Sequence, residues 1–487
     1  MSTSATSAKL ARAATVAALV SELGSWSAGT GPVHRQLARA IAHAIDRGAL
    51  ASGARLPSER ELAIGVAVSR GTAVAAYDLL VADGRIERRR GSGTYVSGDV
   101  PTLPAGREGS VLVHRLVDVS AEPVGTDAPE RPEVLDLSLS VLADPSGLGT
   151  ISLTDEDLAH LDPPTGYSPW GLPGLREAIA DHVSGWGLAT TASQVVVTSG
   201  AQQAISVAAA CWIRPGDLVA VDDPTYPGAI AAFQQAGARL VPVAVDGHGP
   251  VPSSLEAAVA RRPALVYLQP VVHSPTGTTA TAARRRALAE VLDRARVPLV
   301  EDRALADLAW IRPPAPLAGG LDDVPSIVVG SLGKRFWGGL RLGFLRAPEP
   351  LALRCARIKA TQDLGTSAVS QVLGEQLLRR STEADRAAMV ADLRRRYDAL
   401  AGALAAAPGW SWPEPSGGLS IWVDLDGLDG DRLAAAALAA GVAVAPPRPL
   451  VVDGAARARV RLSFALPLDP LVDAARKLGR AGHHLAS

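Results

Sequence analysis

The stretch SLGKRFWGGLRLG, residues 331–343, decides how this chain is read. It carries Lys334, one of only four lysines (Lys9, Lys334, Lys359 and Lys477) set against 44 arginines. The bias runs through the whole sequence: Ala, Gly, Pro and Arg abound, Phe, Met and Lys are scarce, and Asn is absent. An ammonium kept against that bias marks a position where a guanidinium would not serve. Arginine stays protonated up to pH ~12 and beyond, whereas lysine loses its proton when buried and then condenses with carbonyl compounds. Ser331 stands three residues before Lys334 and Arg341 seven after it, a Ser–x–x–Lys–x6–Arg set.

On both sides of this stretch, across residues 134–487, strand-like apolar runs alternate with helical patterns. QVVVTSG precedes AQQAISVAAACWI, DLVAVDDPTYPG precedes AIAAFQQAG, and ALVYLQP precedes a helical period over residues 281–296. VPLVEDRA and SIVVGSLGK follow. The alternation predicts an α/β fold with a parallel sheet covered on both faces, and ligands in such sheets collect at the carboxyl ends of the strands.

Those ends carry a coherent set of groups. TSGAQ, residues 198–202, turns from strand to helix at Gly200, where unpaired N–H groups and the helix dipole form an anion-sized hollow. Tyr226 sits between prolines in DDPTYPG, and HSPTG supplies His273 and Ser274, of which His273 reads as a locally bonded side chain. Asp302 ends an apolar strand, where a carboxylate is costly unless it meets a cation. Arg461 follows in VRLSFA. Pyridoxal 5'-phosphate fits all of these at once. It needs a lysine for its Schiff base, a carboxylate for its ring nitrogen, an aromatic face and a cup of donors for its phosphate.

The front of the chain is different in kind. Residues 31–97 carry ten Arg and six acidic residues, a net +4 on a chain whose formal charge is −1, which points to a polyanionic partner. Val33, Leu37, Ile41 and Ile45 recur at helical spacing and end near Gly48. Ser58 with Glu61 forms a capping-box pattern before a short second helix, and Ser69 opens a third that closes at Gly84. RIERRRGSGTYV then reads as strand, Gly-rich tip and strand. Helix, helix-turn-helix and β-wing is a winged helix layout. Its DNA-facing groups are Arg70 and Thr72 at the start of the third helix and Arg90, Gly91 and Gly93 at the wing tip. Residues 98–133, rich in Pro, Gly and acids with one apolar interruption (VLVHRLVDV), read as a linker, and residues 1–30 as an N-terminal extension with an Ala-rich helix.

LPSERELA, VSRGT and AYDLLVADGRIERRRGSGTYV resemble, in order, the DNA-binding domain of the GntR family of bacterial repressors. That resemblance adds Arg60 to Arg70, Thr72 and Gly93 as positions that touch DNA. The body, residues 134–487, resembles the fold-type I aminotransferases, which have a large α/β domain and a small C-terminal α+β subdomain, here from about 350. The resemblance implies the following roles. Lys334 forms the Schiff base, Asp302 pairs with the pyridinium nitrogen, and Tyr226 stacks on the ring. Gly200, Ala201, Ser331 and Arg341 hold the phosphate, and Tyr167 in GYSPWGLPGLR reaches the phosphate of the partner subunit. Ser274 contacts the cofactor, and Arg461 grips a substrate or effector carboxylate.

Two departures bear on turnover. Ser274 replaces the usual Asn of Asn-Pro-Thr-Gly, and Ala304 and Leu305 stand where a Tyr usually follows the Asp. Both donors to the cofactor's 3'-oxygen are missing, which weakens control of its ionisation.

The two parts together, with LGSW before the first DNA-binding helix, resemble the MocR subfamily of GntR-type transcriptional regulators end to end. The resemblance implies a head-to-tail homodimer that binds an operator in double-stranded DNA and senses pyridoxal 5'-phosphate, or an amine or amino-acid effector, by aldimine exchange at Lys334. Any transaminase activity is expected to be weak or vestigial. The alternative is an active aminotransferase carrying a DNA-binding head. A third reading makes the body a dimerisation scaffold only. Cys211 and Cys355 are too few for a disulfide framework, no run of about 18 apolar residues suggests a membrane span, and no metal cluster is expected. These features give a cytoplasmic protein with reduced thiols.

Overall fold

The computed structural model describes residues 16–23, 26, 32–46, 50, 54–82, 85–89 and 93–96. It also describes residues 134–486, apart from 143–147, 150, 160, 162, 322, 406, 408 and 453–455. The expected linker, 98–133, lies outside these residues. The chain divides into two compact units, one within Met1–Glu108 and one within Gly109–Ser487.

In the first unit, α1 (Val16–Leu23), α2 (Val33–Asp46), α3 (Glu59–Gly65) and α4 (Arg70–Ala82) are followed by β1 (Ile86–Arg89) and β2 (Gly93–Val96). Leu37, Ile41 and Ile45 are fully buried, as the spacing requires, whereas Val33 at the start of α2 is 48% exposed. The capping box forms: Ser58 Oγ accepts from the Glu61 N–H at 3.3 Å and Glu61 Oε2 accepts from the Ser58 N–H at 2.8 Å. Such a cap contributes about 1 kcal/mol. Ser69 Oγ accepts from the Thr72 N–H at 3.0 Å and starts α4. β1 and β2 pair antiparallel with Arg89 opposite Gly93, which makes the wing. Arg55 adds an isolated bridge to Tyr95, so the wing has a third, minimal strand. The N-terminal helix docks on this framework through Gly65, where a Cβ would come within 2.3 Å of Val16 Cγ1.

The second unit is built on an eight-stranded sheet. Its strands are β4 (Val195–Thr198), β5 (Leu218–Asp223), β6 (Arg239–Asp246), β7 (Gly249–Pro250), β8 (Leu265–Leu268), β9 (Leu299–Asp302), β10 (Ser326–Ser331) and β11 (Gly343–Arg346). They lie in the order β4-β11-β10-β9-β8-β5-β6-β7. Strands β6, β5, β8, β9 and β10 are parallel. The expected parallel sheet is present in these five strands, and two strands depart from it: β11 runs antiparallel between β10 and β4, and β7 antiparallel to β6. The reason at β11 is length. Residues 332–342 hold only a helical turn, α11 (Leu332–Arg335), and a 3-10 turn, too little for a crossover, so the chain must return as a neighbour.

Both faces of the sheet are apolar. Val219, Val221, Leu265 and Tyr267 face α7 (Ala201–Trp212), α8 (Pro227–Gln235) and α12 (Glu349–Asp363). Ala220, Val266 and Leu268 face α9 (Pro252–Val259) and α10 (Ala282–Ala295). This explains why the strands read as continuous hydrophobic runs. Cys211 and Cys355 are free, buried thiols whose sulfurs lie 3.5 Å apart between α7 and α12.

A smaller region packs α14 (Glu383–Leu404), α15 (Gly430–Ala439) and α16 (Leu468–Ala486) on the antiparallel pair β12 (Ser420–Asp424) and β14 (Arg459–Ser463), with Trp422 opposite Arg461. The short β3 (Leu135–Asp136) joins it by pairing in parallel with β13 (Val442–Ala443), so the first strand of the body ends up beside its last elements.

Candidate functional site

Residue 334 lies one turn beyond β10, in α11, a helix too short to hold itself. Arg335 anchors it: its Nη1 lies 3.4 Å from Asp307 Oδ2 and its Nη2 donates to Ser381 Oγ at 2.7 Å. Asp307 is also bound by His182 Nε2 at 3.0 Å and by the indole N–H of Trp186 at 3.1 Å. Burial alone would raise the Asp307 carboxyl, but His182, Arg335 and Trp186 hold it well below the carboxylate range. This knot fixes the turn that presents Lys334.

The Lys334 amine donates to the Ser140 carbonyl. Burial, then the Arg461 guanidinium, pulls its pKa down to about 8, while Asp302 opposes the shift. Asp302 closes β9, where Oδ2 accepts from the Tyr267 hydroxyl at 2.6 Å and Oδ1 from the Ala304 N–H at 2.8 Å. Burial pushes the Asp302 carboxyl up, against Tyr267, Ala304 and Lys334. Arg461 is buried, its Nη2 donates to the Ser138 carbonyl, and its Nε has no partner among the described residues. Burial brings its pKa down to about 10. Tyr226 caps α8 and is electrostatically coupled to Asp302, Arg461 and Arg341, with burial raising its phenol.

The anion hollow forms at the start of α7. Gly200 has φ 99°, a left-handed conformation that favours glycine, and Arg341 Nη2 donates to the neighbouring Ser199 carbonyl at 3.1 Å. Gly343 lets β11 approach this turn, since a Cβ there would sit 2.6 Å from the Gly200 carbonyl carbon. Ser331 ends β10 next to α11. Lys334, Asp302, Tyr226 and Arg341 thus share one electrostatic neighbourhood with Arg461, with Gly200 and Ala201 beside Arg341.

Ser274 is buried, and its backbone N–H donates to Gln269 Oε1 at 3.3 Å. His273 bonds locally, as expected, with Nδ1 2.9 Å from Thr276 Oγ1, and burial lowers its pKa to about 3. Tyr167 is 67% exposed.

Sequence reasoning passed over four contributors. Tyr267, inside the apolar run ALVYLQP, carries no signal of its own in the sequence. Gln269 bridges Thr225 Oγ1 at 3.0 Å and the Ser274 carbonyl at 3.4 Å, tying two turns together. Ser138 and Ser140 act through backbone carbonyls, which carry no residue signature.

In the head, Arg60 and Arg70 are exposed. The Thr72 hydroxyl lies 2.8 Å from Ser69 Oγ. Gly93 has φ 114°, and the Arg55 guanidinium packs beside it, 3.1 Å from where a Cβ would be. Arg90 and Gly91 lie outside the described residues. Arg88 of the basic run is tied inward, to Asp78 at 2.8 Å and Glu59 at 3.2 Å.

Comparison with known proteins places both parts. Residues 34–96 match the family of bacterial regulatory proteins, gntR family, and residues 135–478 match aminotransferase class I and II. The chain is 30% identical over 451 residues to the uncharacterized HTH-type transcriptional regulator YisV of Bacillus subtilis, covering 89% of this chain and 92% of that protein. It is 31% identical over 340 residues to the probable rhizopine catabolism regulatory protein MocR of Rhizobium meliloti, covering 66% of each. The body superposes on the crystal structure of LysN, the alpha-aminoadipate aminotransferase of Thermus thermophilus, complexed with N-(5'-phosphopyridoxyl)-L-leucine. The TM-score is 0.65 and the identity 27%, over 72% of this chain and 93% of that one. A winged head of the gntR family and a class I and II aminotransferase body in one chain make this protein a member of the MocR subfamily of DNA-binding, HTH-type transcriptional regulators.

Proposed function

We propose that the body of this regulator binds pyridoxal 5'-phosphate at Lys334 and reads the coenzyme itself, or an amine or amino acid, by release of Lys334 from it. The observation that carries this reading is a half-buried Lys334 amine, held by the Ser140 carbonyl one turn beyond β10, its pKa lowered to about 8 and its charge felt by Asp302 and Arg461, in a body fused to a winged head. The residues present fit the coenzyme. Gly200 and Ala201 offer N–H groups beside Arg341 and Ser331 for a phosphate, Asp302 supplies a carboxylate for a ring nitrogen, and Tyr226 supplies a face. Ser140 Oγ and Arg461 Nε are buried polar atoms without partners among the described residues. When bound, the coenzyme supplies an aldehyde that condenses with amines.

This chain's own residues do the rest. A neutral Lys334 is reached near physiological pH because burial and Arg461 disfavour its charged form. Asp302 holds a proton at the ring nitrogen, and Arg461 clamps a carboxylate with its planar fork. Ser274 sits against the coenzyme where Asn is usual, and Ala304 and Leu305 offer no phenol, so the 3'-oxygen side lacks its ordinary donors. On this reading Tyr167 serves the phosphate of a partner in a head-to-tail homodimer working in the cytoplasm. Arg60, Arg70, Thr72, Arg90, Gly91 and Gly93 contact the operator. An effector alters operator binding only as far as it favours one arrangement of the paired heads over another.

The competing reading, an active aminotransferase with a DNA-binding head, is favoured by the retention of Lys334, Asp302 and Arg461 together. One experiment decides. The coenzyme-loaded protein is mixed with a panel of amines and amino acids, and its visible spectrum and operator affinity are followed with and without a keto acid. A sensor gives a stable spectral change and a changed operator affinity without turnover, whereas repeated turnover with the keto acid overturns the sensor reading.

A further inference from the structure

Asp302 reaches the site from a strand that is buried along its length, Leu299 to Asp302. A carboxylate taken out of water is stable as an anion only where donors or cations replace the lost solvation. Two hydrogen bonds do so here. The Ala304 N–H donates to Oδ1 at 2.8 Å, a local turn contact that any residue at 304 other than proline would make. The Tyr267 hydroxyl donates to Oδ2 at 2.6 Å from 35 residues away in sequence. Tyr267 is fully buried in β8, and β8 and β9 are paired in parallel with Tyr267 opposite Val300. The Tyr267 ring is fixed edge-on to Phe233, with centroids 5.5 Å apart and planes at 70°. Among the described residues its hydroxyl bonds to this carboxylate alone, so the phenol is aimed at Asp302.

We propose that Tyr267 is a positioning residue that keeps Asp302 ionised and oriented toward the coenzyme ring nitrogen. In this chain the ring's electronic state is then set from the nitrogen side by the Tyr267–Asp302 pair. The inference rests on the coenzyme reading above. The charged and titratable groups coupled to Asp302 are Tyr267 on β8, Asp222 on β5, Tyr226 at the start of α8 and Lys334 on α11. Lys334 is the group whose charge favours the anion, while burial, with Asp302 adding to it, pushes the Asp222 carboxyl well up. Tyr267 adds what no cation here supplies, a short and directional donor. The opposite edge of the ring lacks its usual partners: Ser274 replaces Asn, and Ala304 and Leu305 carry no hydroxyl. Nothing on that side would compensate for the loss of Tyr267.

The test is the Tyr267→Phe variant of the full chain, which keeps the ring and its packing on Phe233 and deletes one oxygen. Pyridoxal 5'-phosphate is the probe. Without the phenol the proton shared with the ring nitrogen moves toward Asp302. The pH midpoint of the bound coenzyme's visible absorbance is expected to rise by about one unit, and coenzyme affinity to fall about tenfold. Replacing Tyr267 with 3-fluorotyrosine, a stronger donor of nearly the same shape, is expected to move the midpoint down, and this second variant keeps the test open should the phenylalanine variant fold poorly. A purely structural tyrosine would move neither midpoint. If the wild type takes up the coenzyme and both variants titrate as it does, the inference is overturned while the coenzyme reading stands. If the wild type takes up no coenzyme, that reading falls and takes the inference with it.

Discussion

The carbonyl of Ser140 accepts a hydrogen bond from the Lys334 amine across 194 residues of chain. Two residues earlier the Ser138 carbonyl does the same for Arg461, so one short segment accepts from Lys334 and from Arg461. That segment leaves β3, the first strand after the expected linker, and on the proposed reading a ligand carboxylate would compete with the Ser138 carbonyl for the guanidinium.

On the proposed reading Arg461 is the residue on which carboxylate recognition depends. Lysine keeps the charge but offers a point donor where a planar fork is needed. Arg461→Lys is predicted to weaken the response to amino-acid effectors at least about tenfold, the loss of one charge-assisted hydrogen bond. Simple amines lacking a carboxylate should act on both proteins alike. Spectral titration with matched amine and amino-acid pairs checks this.

Ser274 stands where an amide would donate to the coenzyme's 3'-oxygen. Ser274→Asn restores a donor to an anionic oxygen, which lowers the pKa of the group it stabilises. The pH midpoint of the bound coenzyme's visible absorbance is predicted to fall, by about one unit for a hydrogen bond of ordinary strength. A pH titration of the loaded variant measures it.

In the head, Arg70 is exposed at the start of α4, whereas Arg88 is spent on Asp78 and Glu59. Arg70→Ala is predicted to cost about 1–3 kcal/mol of operator binding if it reads a base, and Arg60→Ala to weaken all sequences alike and lower the salt slope by about one. Arg88→Ala should act mainly on the stability of the head. Binding to a fragment of the upstream region at several salt concentrations separates the three.

Asp307 makes the stability of the body depend on acid. Its folded carboxyl is held below the ordinary value of 3.8, so the unfolded chain binds its proton first as pH falls. The contribution is fully present above the unfolded value and is lost on acidification below it. Asp307→Asn removes that part of the acid dependence and, by leaving Arg335 and His182 without their partner, is predicted to cost about 3–5 kcal/mol at neutral pH. Urea midpoints at neutral pH and at pH about 2.5, below the unfolded value, test both statements.

The sequence showed most of this architecture because several independent signals agreed. The capping box at Ser58, the β-wing and the strand-end positions of Gly200, Asp302 and Ser331 all rest on local periodicity and turn chemistry, and each appears where expected. What stayed hidden is non-local. The antiparallel course of β11 follows from a connection too short to cross over, and only its first residue, Gly343, falls within the lysine stretch. Tyr267 gains its meaning only when β8 is laid beside β9. Ser138 and Ser140 contribute main-chain oxygens, and Arg55 joins the wing only through a single bridge to Tyr95.

The most direct test of the account is to add pyridoxal 5'-phosphate to the purified protein, reduce it with borohydride and map the modified peptide. The account predicts a yellow protein and a single phosphopyridoxyl group on Lys334. It predicts none on Lys359, which is buried and paired with Asp363 at 2.8 Å, and no stable adduct in Lys334→Ala. A protein that stays colourless, or an adduct spread over other amines while residue 334 remains unmodified, would contradict it.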